Sequence, residues 1–242
     1  MITKSVVKDI QSLAGKKYRD QAGLFLAEGP KLVEELLRDC PHSIKAIYAL
    51  ESWIQQNKII NSSIQVTLVT PAELERLSQL ITPHEVLAVV SKFPISPLEI
   101  GKGLTLVCCG IQDPGNFGTI LRTADWFGVR QLVCSPDTVD VYNPKVVQAT
   151  MGSIARLAVH YMDLDPWLDE QEVPIYAAIL NGQSVYEINR SQSGILLIGN
   201  EAKGVPASLL TKKVTGITIP KIGEAESLNA AVATGILLSW LS

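Results

Sequence analysis

Apolar residues recur along the chain with two periods, and the alternation between them lays out its elements. From Thr3 to Ala14, the residues Val6, Val7, Ile10, Leu13 and Ala14 share one face of a short helix that Gly15 ends. A basic turn, Lys16, Lys17 and Arg19, leads into an apolar run in which Leu24 to Ala27 reads as a strand and Glu28-Gly29 as its exit. A helix follows from Pro30 to Cys40. Ile44 to Leu50 and Val66 to Thr70 read as strands, Glu51 to Asn57 and the Pro-started PAELERLSQL as helices, and Glu85 to Phe93 closes the set. Strands and helices joined by short connections predict a small α/β sandwich over residues 1–95.

Pro94 to Gly103 is rich in Pro and Gly and has no sustained period, so residues 96–103 read as a linker and 104–242 as a second domain. The second domain's strands, LTLVCCG, QLVCS, RLAVHY, PIYAAIL, GILLIG and VTGITIP, alternate with helical runs including Gly118 to Phe127 and Pro144 to Thr150. Short, nearly all-apolar strands of this kind predict a parallel sheet buried on both faces, with ligands beyond the carboxyl ends of its strands. The last of them, Val214 to Ile219, stops at Pro220, and Ser227 is placed to cap an apolar helix from Leu228 to Leu241. A buried helix N-terminus there would suit a nucleotide-like ligand or a developing oxyanion.

Composition narrows the picture. The chain has 242 residues, 47% of them hydrophobic, enough for two modest cores. Its net charge of −3 excludes a general nucleic-acid coat, so any RNA contact must be local. The cysteines Cys40, Cys108, Cys109 and Cys134 lack metal-ligand spacing and read as reduced core residues; no metal is expected. No signal peptide is visible at the start, and Leu228 to Leu241 falls short of the roughly 20 residues that span a bilayer. The expectation is a cytoplasmic protein with no membrane segment.

Three loops of the second domain carry more Gly and polar side chains than a connection needs. In GIQDPGNFGTILRTADWFG, Asn116 is read as preceding and capping a helix that carries Arg122 about two turns on, so that the two side chains are expected to share a face. IGNEAKGVP places Gly199, Asn200, Glu201 and Gly204 directly after a buried strand, without the Lys and hydroxyl residue of a P-loop; no G-x-G-x-x-G follows any strand. The third loop is KIGEAESLN, with Ser227 and Asn229.

In that order the stretches DPGNFGTILRTA, LLIGNEAKGVP and IPKIGEAESLNAAVATGILL resemble the three motifs of the SpoU branch of the SPOUT RNA methyltransferases. The N-terminal GKKYRDQAGLFLAEGPKLVEELL resembles the L30e-like substrate-binding domain of the ribosomal-RNA members. The resemblance implies an α/β fold: a C-terminal α/β-knot domain, a trefoil-knotted parallel sheet, preceded by the small L30e-like α/β domain. It further implies a homodimer and S-adenosylmethionine held among the knotted loops. The family's catalytic positions fall on Asn116, Arg122, Glu201, Ser227 and Asn229, and its cofactor pocket on Thr150, Gly152, Gly199, Asn200, Glu201, Gly204, Ile219 and Leu228.

The implied reaction is methylation of a ribose 2′-hydroxyl, without a metal. Because an arginine guanidinium stays protonated in proteins, Arg122 is expected to act electrostatically, stabilising the alkoxide and gripping the adjacent phosphate, while Ser227, Asn229 or water relays the proton. His160, a lone histidine in an apolar run, reads as structural. Lys16, Lys17, Arg19 and Lys31 are the expected RNA contacts, with ribosomal RNA favoured over tRNA. A non-catalytic RNA-binding or ribosome-assembly protein on the same fold is the competing reading. Dimer contacts are expected on the terminal helix at Ile236, Leu237, Trp240 and Leu241.

Overall fold

The structure is a computed structural model that describes residues 2–57, 64–190, 193–211 and 213–242. Its contacts divide the chain into two compact units. One runs to Pro94 and takes in Asp140–Ala155, and the other comprises Ile95–Val139 and Arg156–Ser242.

The first unit opens with α1 (Lys4–Ser12), capped by the Thr3 hydroxyl, which accepts the Val6 N–H. The expected basic turn is a helix, α2 (Lys16–Ala22), followed by β1 (Leu24–Glu28) and α3 (Pro30–Asp39). Then come β2 (Ile44–Ala49), α4 (Glu51–Gln56), β3 (Gln65–Leu68), α5 (Pro71–Leu77) and β4 (Val86–Ser91). Proline begins both α3 and α5, where its missing N–H costs nothing, and Thr70 with Glu73 closes a reciprocal capping box on α5. The sheet order is β1-β4-β2-β3; β4 runs antiparallel to both neighbours, and β2 and β3 are parallel. Leu26, Leu87 and Val89 pack with Val7 and Ile10 of α1, with Leu13 just after it, and with Leu74 and Leu77 of α5.

The rest of the chain contributes β5 (Leu104–Cys109), α6 (Pro114–Trp126), β6 (Gln131–Cys134), α7 (Pro144–Thr150), β7 (Ala158–Tyr161) and α8 (Leu164–Asp169). After these come β8 (Ile175–Ser184), β9 (Gly194–Gly199), β10 (Val214–Thr218) and α9 (Ala230–Leu241). The second unit's sheet is parallel throughout, in the order β10-β8-β9-β5-β6-β7. β5 and β6 are wholly buried, as their continuous apolar runs require. Cys108 and Cys134 are register partners in those strands, and burial pushes the Cys134 and Cys109 thiols up. Strand order reverses at β5, whose successors β6 and β7 lie on one side and β9, β8 and β10 on the other. The loops after β5 and β9 therefore diverge at a switch point.

α7 lies within the sequence range read as the second domain, yet Asp140–Ala155 packs with the first unit. Its attachments are specific. Asp140 accepts from Arg19 at 2.6 Å, the Tyr142 ring stands 4.9 Å from that of Phe25, and the Tyr142 hydroxyl accepts the Phe93 N–H. Gly152 has a φ of 96°, and a Cβ there would lie 2.7 Å from the Glu35 Cβ, so only glycine permits that approach.

Candidate functional site

The site is built where three chain segments meet at the carboxyl ends of β5, β9 and β10. Pro114 occupies the first turn of α6, and Asp113 is its N-cap, with Oδ1 accepting the Asn116 N–H at 2.7 Å. Asn116 is thus inside the helix instead of ahead of it, which corrects the sequence reading. The Asp-Pro pair was the signal for the true cap. Six residues at about 100° each put Asn116 and Arg122 roughly 120° apart, so they do not share a face. Arg122 is exposed.

The second segment is the turn after β9. Asn200 and Gly204 form an isolated bridge, and a Cβ on Gly199 would lie 2.1 Å from the Gly204 carbonyl carbon. Asn200 Oδ1 accepts from the Ala202 and Lys203 N–H groups at 2.9 and 3.2 Å, while its Nδ2 donates to the Gly110 carbonyl at 2.7 Å. Asn200 thereby ties the end of β5 to the turn after β9, a role that spacing could not reveal because its partner lies 90 residues away.

The third segment leads into α9. Here the expected cap, Ser227, is replaced by Asn229, whose Oδ1 accepts from the Ala231 and Val232 N–H groups at 2.9 and 3.3 Å. Ser227 is exposed two residues earlier. Asn229 Nδ2 donates to Asn116 Oδ1 at 2.8 Å, and Asn116 Nδ2 donates to Glu201 Oε1 at 2.6 Å. One residue from each of the three loops is thus joined in a continuous hydrogen-bond chain. Among the described residues no hydrogen bond connects Arg122 or Ser227 to it.

Other expected residues are placed differently. Thr150 is fully buried in the first unit with its hydroxyl donated to the Val147 carbonyl, and Gly152 is buried there beside Glu35, so neither presents surface to a ligand. Arg19 is 2% exposed: its guanidinium donates to the Leu13 and Ala14 carbonyls and to Asp140. It is a structural cation, removed from the expected RNA-contact set by burial, whereas Lys16, Lys17 and Lys31 are exposed. Leu237 and Leu241 of α9 are covered by their own chain, contrary to the expectation that they would face a partner. His160 lies in β7, and burial pulls its imidazole below the ordinary value. Among the described residues no group of three or more His, Cys, Asp or Glu could hold a metal ion, and no helix is long and apolar enough to cross a membrane.

The sequence pattern of the SpoU rRNA Methylase family matches residues 103–239, and that of the MRM3-like substrate binding domain matches residues 4–88. The chain is 35% identical over 240 residues to the 23S rRNA (guanosine(2553)-2'-O)-methyltransferase RlmP of Bacillus subtilis, across 97% of this chain and 95% of that protein. Its structure is similar to an AdoMet-bound rRNA methyltransferase from Sinorhizobium meliloti, with 30% identity, a TM-score of 0.85, and coverage of 100% and 95% of the two chains. It is also similar to the SpoU methyltransferase AviRb from Streptomyces viridochromogenes in complex with AdoMet, at 25% identity and a TM-score of 0.82, over 99% and 97%.

Proposed function

Because the chain belongs to the SpoU rRNA Methylase family, we propose that it methylates a ribose 2′-hydroxyl of ribosomal RNA with S-adenosylmethionine as the methyl donor. The fold is that of the SPOUT α/β-knot proteins, with a small L30e-like α/β domain ahead of the methyltransferase domain. The observation that carries the reading is the hydrogen-bond chain Asn229–Asn116–Glu201, which joins the three motif loops at the carboxyl ends of the parallel strands.

The residues present fit the cofactor. Leu228 is 48% exposed and Ile222 fully so, leaving apolar surface beside the loops that an adenine ring would cover. At Gly204, with φ of 67°, a Cβ would meet nothing within 4 Å, which leaves open space against bare backbone. Gly199, Asn200, the backbone of Glu201 and Gly204, with Ile219 and Leu228, would hold S-adenosylmethionine, which when bound supplies an electrophilic methyl carbon. Arg122 would meet the ribose hydroxyl and its phosphate, favouring the oxyanion as its proton leaves, and Ser227 would relay that proton. Lys16, Lys17 and Lys31 would contact RNA phosphates. Trp126 of α6 is 84% exposed and Val232 of α9 is 52% exposed on helices that pack together, which supports a homodimer through this face. Light scattering that finds a monomer at micromolar concentration would exclude it. The proposed compartment is the cytoplasm, where cysteines outside disulfides persist as thiols.

The test is transfer of tritium from labelled S-adenosylmethionine to ribosomal RNA from a strain lacking the protein, with the product mapped as an alkali-resistant linkage. Cofactor binding without transfer to any ribosomal RNA would favour the non-catalytic assembly reading; transfer to tRNA alone would move the substrate.

A further inference from the structure

We propose that Glu201 serves this reaction as a positioning residue: it is the terminal acceptor of a hydrogen-bond chain whose direction is imposed by the amino end of α9, and it acts through Asn116. The inference rests on the methyltransferase reading for its consequence, but its geometry stands independently.

The direction follows from donors that cannot be reversed. Backbone N–H groups only donate, so the Ala231 and Val232 amides fix the Asn229 oxygen toward α9. Asn229 must then turn its NH₂ toward Asn116, and Asn116 must answer with its own oxygen. That leaves the Asn116 NH₂ facing residue 201, where only an acceptor completes the chain. Reversing any single amide would oppose two donors or two acceptors. A carboxylate suits the last place because both its oxygens accept, and the charge strengthens the bond.

The middle of the chain and the turn that carries its last member are anchored in turn. Asp113 holds the backbone of Asn116, and Asn200 uses the same device as Asn229, its oxygen fixed by two backbone N–H groups and its NH₂ extended to the Gly110 carbonyl. The chain therefore clamps the first turns of α6 and α9 to the turn after β9. α6 is the helix that carries Arg122, so the clamp sets where that cation stands.

Reversing the polarity of one link tests the idea. Glu201→Gln keeps an acceptor but loses the charge, and turnover should fall about tenfold. Asn116→Asp opposes two carboxylates and should lower turnover by roughly a hundredfold or more, with a fall in the unfolding midpoint. The double variant Asn116→Asp/Glu201→Gln has the wild-type net charge and restores the chain: the amide introduced at position 201 donates to one oxygen of the carboxylate introduced at position 116, and Asn229 donates to the other. Its midpoint should return to near that of the wild type, and its turnover to within about tenfold. If the midpoint recovers but turnover stays at the Asn116→Asp level, the Glu201 carboxylate touches the reactants and the proposal is overturned. If neither recovers, the polarity argument itself fails. Should the wild-type protein transfer no methyl group to RNA, the functional reading falls, while midpoint recovery still decides the direction of the chain.

Discussion

Truncating Arg19 to alanine should destabilise the protein severely while leaving RNA affinity intact. The guanidinium, 2% exposed, donates to the Leu13 carbonyl at 2.9 Å, the Ala14 carbonyl at 2.7 Å and Asp140 Oδ2 at 2.6 Å. Removing it strands a carboxylate whose side chain is 13% exposed, together with two carbonyl acceptors. Breaking a buried pair from one side costs about 3–5 kcal/mol. The Arg19 Nε is buried without a partner, which argues for the lower end of that range. In a unit of roughly 100 residues, such a loss lowers the midpoint by ~12–20 °C. The measurement is thermal melting of the full chain, with RNA filter binding at a temperature where the variant is folded. Arg19→Met/Asp140→Leu should recover most of the loss, because an apolar pair removes both stranded charges. A variant that melts within about 2 °C of wild type but binds RNA tenfold more weakly would refute the reasoning and return Arg19 to the RNA surface.

Arg122→Ala should lower methyl transfer roughly a hundredfold or more with little change in cofactor affinity by calorimetry; turnover within a few-fold of wild type would make it an ordinary surface cation. Gly204→Val should weaken S-adenosylmethionine binding through the backbone, since φ of 67° is strained for a β-branched residue although its Cβ would meet no atom; unchanged affinity would show that the turn tolerates another conformation. Burial pushes the Glu28 carboxyl above its ordinary 4.5, against the Ser78 hydroxyl, the Gln79 N–H and His84, which pull it down. The native state then holds that proton more tightly than the unfolded chain. Its contribution is complete below 4.5 and is lost as pH rises through the folded value, so wild type should gain stability on Glu28→Gln as pH falls toward 4 in urea unfolding, and the opposite slope would contradict the assignment. Iodoacetamide should modify only half-buried Cys40, because burial raises the Cys109 and Cys134 thiols and Cys108 is fully buried; a second alkylated thiol in folded protein would count against it.

Elements announced by local chemistry were legible in the sequence. Pro30, Pro71, Pro114 and Pro144 each stand in a first helical turn, the period of α1 is read directly from Val7 and Ile10, and β5 and β6 are the continuous apolar runs of a doubly covered sheet. Choices settled by distant partners were not. Ser227 and Asn229 are comparable capping residues, and what distinguishes Asn229 is a neighbour 113 residues away. Lys16, Lys17 and Arg19 look alike in a basic run, yet Arg19 is drawn inside by an aspartate 121 positions later. Nor does any periodicity state which of two sheets a helix will cover, which is why the place of α7 in the chain does not reveal its packing group. The motif residues Asn116, Glu201 and Asn229 were found by their order along the chain; that they touch is a property of topology.

The return of Asp140–Ala155 to the first unit has a consequence for how the protein is made. The polypeptide passes from one unit to the other at Pro94–Ile95, Val139–Asp140 and Ala155–Arg156, so the N-terminal portion cannot complete its packing when residue 94 leaves the ribosome. Until α7 emerges, β1 lacks that helix and Arg19 lacks its counter-ion. By then β5 and β6 have been synthesised, with the strands β8, β9 and β10 still to come. Nascent chains halted before residue 140 should therefore be more protease-sensitive around α2 and β1 than those halted well after 155. A gene fragment cut at the linker would likewise encode the N-terminal module without α7 and without the Arg19 counter-ion, and should melt below the same unit in the full chain.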